Sequence, residues 1–137
     1  MDRERIEGLA RRFIDTLHAL EDGDEGGVEA ITALFAGEAK LTNPALQLQG
    51  DERGGREGVR AFWDNYRRTL GGARSKFHHV LTDERAAGLF WTTSGSYPDG
   101  APLEYDGVSL LEFDDQDRIV RFQGYFDTRQ LSREAGA

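Results

Sequence analysis

The spacing of apolar positions changes rhythm along the chain. Over residues 2–20, Ile6, Leu9, Ala10, Phe13, Leu17 and Leu20 recur three and four apart. That period lays one apolar stripe on a helix. The run EDGDEGG (21–27) breaks the stripe, with Asp24 as a cap and the glycines supplying the turn. A short second helix is predicted over 27–36, with Val28, Ile31, Leu34 and Phe35 inward and Gly37 as its stop. The rhythm then shortens to two: in 38–43, Ala39, Leu41 and Asn43 share one face of a strand that Pro44 ends. A Gly-, Gln- and Asp-rich loop is expected over 44–55. A third helix follows over 56–70, with the stripe Val59, Phe62, Trp63, Tyr66 and Leu70, closed by Gly71 and Gly72.

The remainder reads as four strands, 73–82, 86–97, 103–114 and 118–127. TDER, PDGA and DDQD join them, and these are turn residues. Three helices before a meander of strands predict an α+β architecture with the helices on one face of a curved antiparallel or mixed sheet.

Composition narrows the class. A chain of 137 residues, 38% hydrophobic and 31% charged, is expected to form one domain, 1–137, with its own core. There is no cysteine, hence no disulfide, thiol nucleophile or thiolate metal site. MDRERIEGLARRF carries charge throughout and no apolar signal core, and no apolar run approaches the roughly 20 residues a bilayer needs. The expectation is a cytoplasmic protein without a membrane partner. The net charge of −8 argues against a nucleic-acid partner. The basic cluster Arg53, Arg56, Arg60, Arg67, Arg68, Arg74 and Lys76 is interleaved with Asp51, Glu52, Glu57 and Asp64, so a solvated face is preferred to an anion site.

Segments LARRFIDTLHALEDGD, FAGEAKLTNP, GREGVRAFWDNYRRTL and LLEFDDQDRIVRFQGYFDTRQL, together covering about residues 5–131, resemble the nuclear transport factor 2-like superfamily in its SnoaL-like branch. The resemblance implies a cone-shaped barrel closed by helices, a deep pocket and a homodimer packed through the sheets. It withholds an activity. Where ketosteroid isomerases carry their base there is Asn43, an amide that cannot take up a proton. Their oxyanion donors fall at Phe13 and Ser109. Of the Asp–Arg–Asp set of limonene epoxide hydrolases, the Arg and first Asp fall at Ser94 and Ser96 and the second Asp at Gly124, and their Tyr-x-Asn pair becomes Leu41-Thr42-Asn43. The carboxylate of SnoaL-type cyclases is expected near Gly124, which has none.

The same resemblance sets which strand faces turn inward, and alternation fills in the rest. The expected lining is Leu41, Asn43, Phe90, Thr92, Ser94, Ser96, Tyr105, Gly107, Ser109, Leu111, Phe113, Val120, Phe122, Gly124 and Phe126. Phe13, Leu17, Phe62, Trp63 and Tyr66 join it from the helices. Such a lining is apolar, aromatic and free of carboxylates, and suits a neutral, mostly apolar metabolite. An isomerase-, cyclase- or hydrolase-type enzyme without the usual carboxylate base is one outcome. The other is a non-catalytic dimeric interaction module whose large side chains fill the cone.

His79 shares a strand face with Phe77 and Leu81 and is the candidate acid or base, set against a half-buried structural histidine; His78 points the other way. No cofactor and no metal are expected: His18 is remote, the paired histidines diverge, and Asp114-Asp115-Gln116-Asp117 lacks the glycine and distal glutamate of a calcium loop. Asp127 is read as capping the strand end or the following turn. The outward positions Trp91, Val108, Leu110, Ile119 and Tyr125 would form an apolar patch, the expected homodimer face.

Overall fold

A computed structural model describes residues 2–70 and 72–131. Gly71, expected to help stop the third helix, lies outside the described residues, as do Met1 and 132–137 of the expected domain. The chain runs α1 (Asp2–Glu21), α2 (Gly27–Thr32), β1 (Phe35–Thr42), α3 (Pro44–Leu48), β2 (Arg53–Gly54), α4 (Gly55–Leu70), β3 (Gly72–Thr82), β4 (Ala86–Ser96), β5 (Pro102–Phe113), β6 (Ile119–Phe126) and a closing 3₁₀ turn, Thr128–Leu131.

Helix α1 buries Ile6, Ala10, Phe13, Leu17 and Leu20, the predicted stripe, and continues one residue further to a buried Glu21. Helix α2 ends before the expected 36, because Ala33 caps it and Phe35 already opens β1. Gly37 therefore sits inside a strand and stops no helix. The predicted loop contains α3: the Asn43 carboxamide oxygen accepts from Leu46 N at 2.9 Å, and Pro44 occupies the first turn. An Asn cap followed by proline is a helix start, since the Asn oxygen satisfies one unpaired backbone donor and proline lacks one.

Among the described residues the strands form one six-stranded sheet in the order β2-β1-β6-β5-β4-β3. β1 and β6 pair in parallel and every other pairing is antiparallel. The sheet stays open and curves into a cone, with α1 and α4 against its concave face. Phe13, Phe35, Trp63, Leu89, Leu111, Ile119 and Phe122 belong to the core between these layers.

Pairing register, with bulges on two strands, decides which side chains face that core. On β4 the buried residues are Ala87, Leu89, Trp91 and Thr93. Phe90 and Thr92 are half-buried and Ser94 is exposed. The expected parity of β4 is thus reversed. Its register explains why: Trp91 lies opposite Gly107 and Thr93 opposite Tyr105, and directly opposed residues share a face. Tyr105 and Ser109 do face inward as expected. On β6, pairing shifts between Glu112–Arg121 and Phe113–Ile119. The extra residue turns Ile119 into the core, against the expected outward position, and leaves Val120 half-buried. On β3, pairing shifts between Phe77 and His79. Phe77 packs inward, whereas His78, His79 and Leu81 are exposed. No helix among the described residues is long and apolar enough to cross a membrane.

Candidate functional site

The helix layer does not fill the cone. Between α1, α4 and the concave sheet lies a cavity of about 340 Å³. Of the expected lining, Phe13, Leu17, Asn43, Phe62, Trp63, Tyr66, Tyr105, Ser109, Phe122, Gly124 and Phe126 border it. Leu41 is in the core but not at the cavity wall. Phe90, Thr92 and Ser94 are removed by the β4 parity, and Trp91 and Thr93 take their place. Ser75 and Phe77 from β3, and Ala45, Asn65, Thr69, Leu70, Tyr97 and Leu131, complete the wall.

His79 is not at this wall. The bulge at His78 breaks the alternation that would have carried it inward, and its ring stands edge-on to Phe90 at 6.0 Å. His78 meets Thr92 Oγ1 at 2.7 Å. His18 Nε2 lies 2.8 Å from the Ser75 carbonyl, which can only accept, so this nitrogen carries the proton. Asp127 accepts from Arg129 N at 2.9 Å and pairs with its guanidinium, which holds its carboxyl below the usual range and makes it a turn cap. Asp114 accepts from Gln116 N and Arg118 N in the same way.

The apolar part of the wall is an aromatic cage. Trp63 meets Phe62 at 4.8 Å, Tyr66 at 5.6 Å and Phe122 at 5.6 Å, all edge-on. Trp91 meets Tyr105 at 5.1 Å, and Tyr105 meets Phe126 at 5.3 Å. Gly107 makes room for this: a Cβ there would stand 2.3 Å from the Tyr125 carbonyl and 3.0 Å from the Trp91 ring.

Two polar groupings interrupt the cage. At one, Asn43 and Ser109 flank Gly124: Ser109 pairs with Gly124 across the sheet, and a Cβ on Gly124 would stand 3.2 Å from that of Asn43. Trp91 Nε1 donates to Ser109 Oγ at 2.9 Å. With Oδ1 spent on the α3 cap, the Asn43 NH₂ is its remaining polar group.

The other grouping contains a carboxylate that sequence reasoning missed. Glu21, 7% exposed, stands behind the wall at the end of α1. Its Oε2 accepts from Tyr66 Oη at 2.6 Å and from Ser75 Oγ at 2.6 Å, and its Oε1 accepts from Ser75 N at 2.9 Å. Ser75 Oγ and Thr93 Oγ1 are 2.6 Å apart. Burial first, and then the charge of Glu21, push the Tyr66 phenol well above its ordinary value. Burial and Glu21 raise Tyr105 as well. Glu21 falls four residues after Leu17, on the α1 stripe; extending that stripe by one position would have found it.

Comparison with known proteins agrees with this architecture. The epoxide hydrolase/cyclase-like enzyme SalBIII, of pyran ring formation in the polyether salinomycin, superposes with a TM-score of 0.76 at 13% identity. That match covers 95% of this chain and 97% of SalBIII. A nuclear transport factor 2-like protein of unknown function from Burkholderia pseudomallei superposes with a TM-score of 0.79 at 18% identity, covering 97% of this chain and 98% of that one. At such identities the likeness is one of fold. The profile of the SnoaL-like domain matches residues 10–122, most of the sequence, and the chain belongs to that family.

Proposed function

We propose that the protein binds a small, neutral, mostly apolar metabolite in the cone cavity. The observation that carries this is the open space of about 340 Å³ bordered by Phe13, Phe62, Trp63, Trp91, Tyr105, Phe122 and Phe126 and only a few polar groups. A lining of this kind draws apolar surface from water and uses its sparse hydrogen-bonding groups for orientation. The unfilled cone favours a ligand-binding role over an interaction module whose side chains occupy the space.

An isomerase-, cyclase- or hydrolase-type reaction fits the same cavity, and the cyclase-like SalBIII lends that class support. The isomerase arrangement does not fit, since Asn43 caps α3 where that base would stand. Glu21 is a carboxylate hydrogen-bonded to the wall through Tyr66 and Ser75. We further propose a homodimer through the outer sheet face. With Trp91 and Ile119 turned inward, that face is carried by Phe90, Val108, Leu110 and Tyr125.

A thermal-shift screen tests the ligand class. A ligand that binds only the folded state raises the melting temperature by mass action. Uncharged apolar compounds should do so in a concentration-dependent way and their carboxylate analogues should not. A screen in which only charged compounds shift the transition would contradict this reading.

A further inference from the structure

We propose that the hydroxyl wall of Tyr66, Ser75 and Thr93 is a subsite for a hydrogen-bond donor on the ligand, an O–H or N–H group, and that Glu21 sets this selectivity from behind the wall. The inference rests on the cavity being the ligand site.

Each hydroxyl carries one proton. The Tyr66 proton goes to Glu21 Oε2, and so does that of Ser75, each over 2.6 Å. Ser75 Oγ is then left as an acceptor toward Thr93 at 2.6 Å, so the Thr93 proton points to Ser75. The 3.5 Å approach of Tyr66 to Ser75 has no proton left to fill it. Every proton of the wall therefore runs toward Glu21, and Tyr66 and Thr93 have only lone pairs to offer the cavity. A ketone or ether oxygen placed there would meet lone pairs alone. A ligand O–H or N–H would complete the network.

The location of Glu21 supports a role beyond holding α1 in place. It occupies the last position of α1, the negative end of the helix dipole, and it is buried. Both circumstances disfavour a carboxylate. A glutamine carbonyl could also accept from Ser75 N. What the carboxylate does, and an amide cannot, is accept from Ser75 N on one oxygen and from both hydroxyls on the other. Burial first, and then the neighbouring Glu21, keep the Tyr66 phenol in the protonated form that this pattern requires.

The test pairs apolar alcohols and phenols with their own methyl ethers, for example 4-phenylphenol with 4-methoxybiphenyl, in equilibrium dialysis against wild type, Glu21→Gln and Tyr66→Phe. In wild type the hydroxyl member should bind on the order of tenfold more tightly, the worth of one well-made hydrogen bond. Glu21→Gln should erase or reverse that preference, because an amide NH₂ donates to one hydroxyl and sends its proton into the cavity. If Glu21→Gln does not fold, as judged by its melting transition, Tyr66→Phe and Thr93→Val carry the test, each reducing the preference. Equal binding within the pairs overturns the subsite and leaves the cavity reading standing. A preference unchanged in Glu21→Gln alone overturns the role of Glu21, and one unchanged in every variant overturns the subsite as well. Failure of all pairs to bind refutes the cavity reading and the subsite together.

Discussion

Glu21 and Tyr66 are 45 residues apart in the chain, and the phenolic proton of one is donated to Oε2 of the other over 2.6 Å. The contact ties the end of α1 to α4, and through Ser75 N to β3. Removing the acceptor leaves buried donors without a partner, each at a cost of about 1–3 kcal/mol. Glu21→Ala is therefore expected to lower stability markedly. Glu21→Gln, which keeps an acceptor for Ser75 N, should cost less. Urea denaturation checks the order, read as a shift in midpoint at constant slope. Equal stability of wild type and Glu21→Ala would remove the network as a structural element.

Alkaline pH should expose the same network. The phenols of Tyr66 and Tyr105 are both raised above their ordinary value of 10.0, chiefly by burial. A raised folded-state value means the folded protein holds its proton where the unfolded chain has lost it. The stabilisation is complete below about pH 10 and is lost as pH rises above it, with a slope of about 1.4 kcal/mol per pH unit for each such tyrosine. Stability measured from pH 9 upward should fall accordingly, and Tyr66→Phe should flatten the decline. A decline equally steep in that variant would assign it elsewhere.

Trp91 and Ser109 should behave as a coupled pair. Ser109→Ala strands the indole N–H of Trp91, at a cost of about 1–3 kcal/mol. Trp91→Phe removes the donor and some packing against Tyr105. The double variant should cost less than the two singles together, by on the order of 0.5–3 kcal/mol of coupling. Additive losses would mean the hydrogen bond contributes nothing.

Much of this was legible in the sequence, and what was not has local causes. The stripes of α1 and α4 follow from periodicity, and the family likeness, which implies the inward Tyr105 and Ser109 of β5, follows from motif. The resemblance turns Phe90, Thr92 and Ser94 inward, and the β4 sequence does not correct it, because both of its side-chain sets contain aromatic and hydroxyl groups. The pairing of Thr93 with Tyr105 settles it. His79 and Ile119 went astray through bulges, and a single inserted residue reverses every side chain beyond it. Glu21 was grouped with the polar run 21–27 because a carboxylate in a turn-rich segment reads as solvated.

The corrected parity also redraws the expected dimer face. Phe90, Val108 and Tyr125 lie opposite one another across three strands, and Tyr125 is 50% exposed. An isologous contact through this row should bury roughly 1,200–2,000 Å². Sedimentation velocity at micromolar concentration should give a dimer, and Tyr125→Asp should split it without changing ligand binding. A wild-type monomer of 15.3 kDa would contradict the interface.

Trp63 and Trp91, the two tryptophans of the chain, both border the cavity. Their emission therefore reports directly on its occupancy. Titration with 4-phenylphenol is expected to change that emission saturably, with one molecule bound per chain, and Trp63→Phe and Trp91→Phe should each keep part of the signal. A response that stays linear with concentration, or one that survives loss of both indoles' contribution unchanged, would contradict ligand binding in the cone.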